Sequence, residues 1–194
     1  QLPDECESDA LFCLDGDAQD QSGNGFHGTL SNVTETKGRN GLTKSAYEFS
    51  GNMSLITFPG DSLSSSTFSY AAWVNPSQNP TYDPLWGTHG ILNIGNTGGD
   101  HYLHLANKGQ NGEGFCLISW SKGPVKETVC SGVLPTLNQW YHVTGVRTAD
   151  SMKLYVNGLL KGSVVLNVRE PSFTLPVKGI IGARLDTATF WKGK

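Results

Sequence analysis

Trp140-Tyr141-His142-Val143-Thr144-Gly145-Val146 and, after a short polar break, Met152-Lys153-Leu154-Tyr155-Val156-Asn157-Gly158 decide the fold. Successive side chains on a strand point to opposite faces. Trp140, His142 and Thr144 therefore share one face, and Tyr141, Val143 and Gly145 the other. Thr148-Ala149-Asp150-Ser151 reads as the turn between the two runs, and Asn157-Gly158 suits a tight turn that needs positive φ. The pattern is that of an antiparallel hairpin.

The same reading extends along the chain. Ala10–Leu14 is an apolar run, and Ala46–Phe49 and Leu55–Phe58 flank a Gly51-Asn52 turn. In Phe68–Val74, Phe68, Tyr70, Ala72 and Val74 alternate with Ser69, Ala71 and Trp73. Gly90–Ile94, His101–Leu105, Phe115–Trp120, Val125–Val129, Ser163–Val168 and Lys178–Gly182 follow. More than ten short runs, punctuated by Gly, Pro, Asn and Asp, predict an all-β, two-sheet antiparallel sandwich. No helical period of ordinary length is present, so a parallel α/β sheet with crossover helices is excluded. No linker divides the chain, and residues 1–194 read as a single domain.

Composition agrees. The chain has 194 residues, 24 of them Gly, with only 16% charged and a formal net charge of −3. Lys and Arg are scattered, which argues against a nucleic-acid partner and against binding to an anionic membrane. No apolar run is long enough to span a bilayer as a helix. The start, Gln1 to Cys6, reads like a mature terminus left by signal removal. Four cysteines fall into local pairs. Cys116 and Cys130 lie symmetrically about Gly123-Pro124, directly opposite one another in a hairpin, and Cys6 lies close to Cys13. Sequons at Asn32-Val33-Thr34 and Asn52-Met53-Ser54 join the even cysteine count in pointing to a secreted or cell-surface glycoprotein.

Several segments together carry a family resemblance. They are Asp20-Gln21-Ser22-Gly23-Asn24-Gly25-Phe26-His27-Gly28, Ala46-Tyr47-Glu48-Phe49-Ser50-Gly51, Phe68 to Trp73-Val74, the Trp140–Gly158 hairpin, and Gly179-Ile180-Ile181-Gly182. In that order they resemble the laminin-G-like, concanavalin A-like jelly roll of the pentraxin-related superfamily. The resemblance implies that Asp20 holds a structural calcium ion with Asn24 and nearby carbonyls; Asp17 joins them by spacing alone. The competing reading is an Asx turn in which Asp20 caps backbone N–H groups. Phe49, Trp73, Trp140 and Tyr155 are expected in the core. Jelly rolls of this type continue past an element like Phe190-Trp191-Lys192-Gly193-Lys194 into one more strand. Without it, an unpaired edge open to a partner strand is expected.

For binding, the long Pro-punctuated stretch 75–90 offers Tyr82, Trp86 and His89, next to Asp100, His101 and Tyr102. Aromatic groups on loops stack on sugars or anchor protein contacts. A zinc site on His89, His101 and His104 is disfavoured, because His101 and His104 fall on opposite strand faces. The paired acids of a jelly-roll glucanase are absent from the sequence pattern; Glu113 and Glu127 stand alone. The reading is a non-enzymatic recognition module for a glycan or an extracellular protein, with calcium as its candidate cofactor. A structural, assembly or adhesion domain is the alternative, and a glycosidase relative the third.

Overall fold

The computed structural model describes residues 8–81, 88–96, 99–107, 112–121, 126–166, 175–185 and 189–194. The strands are β1 (Thr29–Ser31), β2 (Val33–Thr36), β3 (Ala46–Ser50), β4 (Leu55–Pro59), β5 (Phe68–Val74), β6 (Thr88–Asn96) and β7 (Gly99–Asn107). They continue with β8 (Glu113–Ser121), β9 (Lys126–Cys130), β10 (Tyr141–Arg147), β11 (Ser151–Val156), β12 (Leu159–Val165), β13 (Lys178–Ile181) and β14 (Lys192–Gly193). One 3₁₀ turn, Asp61–Leu63, is the only helical element among the described residues.

The deciding hairpin forms as read. β10 and β11 pair from Val143↔Val156 to Arg147↔Met152, and Asn157 and Gly158 turn the chain with φ of 51° and 77°. Ala10–Leu14 forms no strand; Phe12 makes a single bridge to Asp20.

All strand pairs among the described residues are antiparallel. One sheet has seven strands, in the order β1-β4-β13-β6-β7-β8-β9. A second layer is built from a four-stranded sheet, β12-β11-β10-β5, and a three-stranded sheet, β14-β3-β2. Two backbone hydrogen bonds between Asn75 and Lys194, at 2.8 and 2.9 Å, tie the end of β5 to β14. Glycines set the distance between layers. A Cβ on Gly145 would lie 2.9 Å from Leu117, and one on Gly162 would lie 2.7 Å from the Cys130 carbonyl oxygen. One hydrophobic core fills the space, with Tyr47, Phe49, Ile56, Leu103, Leu117, Val143, Leu154 and Trp191 all buried.

The aromatic expectations divide. Phe49 is core, but Trp73 is 47% exposed, and Trp140 and Tyr155 are half-buried. The alternation of β5 sends Phe68, Tyr70, Ala72 and Val74 inward and turns Trp73 out, where the Arg39 guanidinium lies 4.6 Å from its ring centroid. The chain end packs onto the sandwich. Trp191 is buried, and the segment through Lys194 lies between Ser50-Phe49 of β3 and the residues after β5. Among the described residues, however, β5 itself pairs only with β10.

The Cys116–Cys130 bridge forms between residues directly opposite in the β8–β9 ladder. Cys13 is exposed with a free thiol; the expected Cys6–Cys13 bridge falls on Cys6, which lies outside the described residues. Asn32 and Asn52, the sequon asparagines, are both exposed in turns. The Asn32 amide donates to the Met53 carbonyl at 3.3 Å, which brings the two sequons side by side.

Candidate functional site

β7 is the strand that organises the polar chemistry. His101, Leu103 and Leu105 face the sandwich interior, while Asp100, Tyr102, His104 and Ala106 face away from it. The outward set is nonetheless buried, Tyr102 to 4% and His104 to 0% exposure. The reason is a strap formed by the chain after β13. Gly90 leaves room for it, since a Cβ there would lie 2.5 Å from the Ala183 carbonyl carbon. Arg184 then places its guanidinium 5.0 Å from the Tyr102 ring centroid, and the Leu185 N–H donates to Asn93 Oδ1 at 3.1 Å.

Beneath the strap lies a connected polar floor. The Asn93 amide donates to the His101 carbonyl at 3.2 Å and to Asp100 Oδ2 at 3.4 Å. Asn93 and Tyr102 are directly opposite in register, as are Asp100 and Trp120, and Trp120 and Lys126. Trp120, Lys126 and Arg184 are half-buried and form the accessible rim of this face. Burial lowers the Lys126 pKa, helped by the Arg184 charge and opposed by Asp100. An indole and two cations thus border a floor of amide, carboxylate and phenol groups. Such a set can stack on a sugar ring and hydrogen-bond its hydroxyls.

The expected ligand residues are distributed differently from the sequence reading. Asp100 and Tyr102 belong to this face, but on a buried strand rather than an exposed loop, because both faces of β7 are covered. His101 points into the sandwich, with its ring 4.5 Å from that of Phe68. Burial lowers its pKa to about 3, aided by the Arg147 charge. His89 lies on β6, opposite Leu105, and burial lowers its pKa to about 4. Tyr82 and Trp86 lie outside the described residues. Trp120, Lys126 and Arg184 were missed. Period-2 alternation places Trp120 on the Ile118 face, but only the strap explains why that face matters.

The implied calcium site is occupied by protein donors. Asp20 Oδ1 accepts from the N–H groups of Leu11 at 2.9 Å and Ser22 at 3.0 Å. Oδ2 accepts from Ser22 Oγ at 2.8 Å and the Phe26 N–H at 3.0 Å. Burial alone would raise the pKa of this carboxyl, but the hydrogen bonds outweigh it and hold the value at about 2. Asp17 caps the Gln19 N–H within its own turn, and the Asn24 amide donates to the Asp9 carbonyl. No group of three or more His, Cys, Asp or Glu side chains converges among the described residues. Four donors aimed at one carboxylate fit an Asx-type clamp and do not fit a cation, whose ligands must present lone pairs.

Comparison with known proteins identifies the fold. Residues 50–194 match the family model of the concanavalin A-like lectin/glucanases superfamily. Among solved structures, domain 4 of AbnA, an extracellular arabinanase of family GH43 from Geobacillus stearothermophilus, in complex with arabinotriose, is 21% identical, with a TM-score of 0.69 over 95% of this chain and 86% of that one. The botulinum neurotoxin serotype D binding domain is 18% identical, with a TM-score of 0.66 over 89% of this chain but only 43% of its own. A heptameric SAP-like pentraxin from Limulus polyphemus is 17% identical, with a TM-score of 0.52 over 75% of this chain and 70% of that one. At such identities the likeness is one of fold. Among curated proteins, none matches the chain by sequence.

Proposed function

The chain belongs to the concanavalin A-like lectin/glucanase superfamily, and from that premise we propose that it is an extracellular recognition domain that binds a glycan without transforming it. One observation carries the reading. The outward face of the seven-stranded sheet presents Trp120, Lys126 and Arg184 around a floor of Asn93, Asp100 and Tyr102. Along the strand faces described there, Asp100 is the one carboxylate, whereas glycoside hydrolysis needs two at a fixed separation. The arabinotriose-bound arabinanase domain supports the choice of a glycan. The bridge between Cys116 and Cys130 supports an oxidising compartment.

The test is a glycan array probed with the 194-residue chain and with Trp120→Ala and Arg184→Ala, each with and without calcium. Binding that falls at least tenfold in both variants supports the site. Binding unchanged in both places the ligand elsewhere. Hydrolysis of a bound glycan refutes the non-catalytic reading.

A second reading, an assembly domain that accepts a partner strand, is favoured by the edge of β5. The Asn75 and Ser77 N–H groups on that edge are taken by Lys194 and Lys192. By alternation, the N–H groups of Trp73, Ala71 and Ser69 point the same way, with no strand partner among the described residues.

A further inference from the structure

At the other end of the β8–β9 ladder from Trp120, a cleft of about 240 Å³ opens between residues 131–136 and the β11–β12 turn. Its floor is aromatic: the rings of Phe115 and Tyr141 lie 5.4 Å apart. Its lips, Val133 and Leu159, are 65% and 64% exposed. Apolar groups left in water on both sides of a concavity mark a surface that gains by being covered.

The walls are fixed before anything binds. On one side, Ser131 Oγ accepts from the Phe115 N–H at 3.0 Å and donates to the Val133 carbonyl at 3.2 Å. The Thr136 N–H donates to the Tyr141 hydroxyl at 3.0 Å, joining wall to floor. On the other side, Asn157 is held to His142 by two hydrogen bonds, its N–H donating at 2.8 Å and its Oδ1 accepting at 2.9 Å. The cleft is a preorganised cavity rather than a gap between mobile loops.

Charge gives the cleft its sign. The β11–β12 register shifts, so that Leu154 faces Gly162 and Tyr155 faces Leu160, leaving Lys161 as the extra residue of a bulge. Bulges re-aim side chains, and Lys161 lines the cleft. Among the described residues it is the one charged residue in the lining. A largely apolar cleft of about 240 Å³ with one ammonium in its lining suits an apolar body bearing one negative charge.

We propose that this cleft binds a small, free aromatic or branched aliphatic carboxylate, its ring on Phe115 and Tyr141 and its anion on Lys161. This is independent of the glycan reading. The probe is 3-phenylpropionate, titrated into the ¹⁵N-labelled 194-residue chain, with amide shifts followed at Val133, Asn157 and Lys161. The controls are propionate and 3-phenylpropylamine. Saturable shifts at these amides with a Kd of about 1 mM are expected, as suits so few atoms. Each control should bind at least tenfold more weakly. Lys161→Glu lies on an exposed position, should leave the rest of the spectrum unchanged, and should reverse the preference between carboxylate and amine. Lys161→Gln should abolish the preference. No saturable shift at these amides, equal binding of acid and amine, or a preference unaltered in both variants would overturn the proposal.

Discussion

Acid titration of the Asp20 clamp tests the turn on which the N-terminal region is built. In the folded chain the carboxyl titrates at about 2, against an ordinary 3.8. A group with a depressed folded pKa stabilises the fold fully above its unfolded value and loses that contribution as pH falls through its folded value. The Asp20 contribution is therefore complete above about pH 5 and drains away between about pH 4 and pH 2. At about 1.4 kcal/mol per pH unit, the difference in pKa corresponds to about 2.4 kcal/mol. The carboxylate is covered by its own surface turn rather than sunk in the core, so solvent screening trims this to about 1–2 kcal/mol. In Asp20→Asn the charge is gone, and an amide N–H₂ or carbonyl must face N–H groups on both sides, so one donor loses its acceptor. Thermal unfolding of the two chains should differ by about 2–4 °C for each kcal/mol. The gap should be constant from pH 7 to pH 5 and narrow steadily toward pH 2. A gap independent of pH over that range would refute the argument that the charge does the work. A calcium-dependent rise in the wild-type midpoint that Asp20→Asn abolishes would refute the assignment of the lone pairs to protein donors.

Other consequences follow from burial and spacing. His101 is held neutral, with a pKa of about 3, so the unfolded chain binds a proton that the folded chain refuses, and stability drops as pH falls from 6.5 toward 3. His101→Leu should make that part of the stability profile shallower by chemical denaturation, the remaining slope belonging to His89, which is also held neutral; an unchanged slope would refute the assignment to His101. Removing the Cys116–Cys130 bridge, which spans 14 residues, should cost about 2–4 kcal/mol by the same assay. Gly162→Ala should cost about 1–3 kcal/mol, because its Cβ meets the Cys130 backbone rather than a side chain able to move. An Ala variant as stable as the parent would mean that β12 and β9 are free to part.

Period-2 alternation was the dependable signal in this sequence, and it reached as far as one strand and its neighbour. It grouped Val143 with Gly145 on one face of β10, the face the structure buries, while the Asn157-Gly158 turn took positive φ and Cys116 stood opposite Cys130. It also divides His101 from Tyr102, which face opposite sides of β7. Trp73 shows how that signal can be overruled by size. Its position among Ser69 and Ala71 assigned it to the outward face, yet its bulk argued for the core, and the alternation was right. A strand side chain has no freedom to change face without shifting the register of every neighbour. Where pattern and hydrophobicity disagree on a strand, the pattern has the stronger physical claim.

The recognition face was out of reach for a different reason. Nothing local to β7 tells that its outward residues will be buried, because their cover arrives from Ala183–Leu185, about eighty positions later in the chain. A polar residue on the outer face of a β-sandwich normally meets water, and Asp100 and Tyr102 were accordingly read as surface groups. Gly90 is the local trace of the strap: a missing Cβ in the middle of a strand records a close approach by another backbone. Read that way, a glycine inside an otherwise apolar strand marks the face that something crosses. In this chain the residues beside the crossing, Asn93, Tyr102 and Arg184, are those on which the recognition proposal rests.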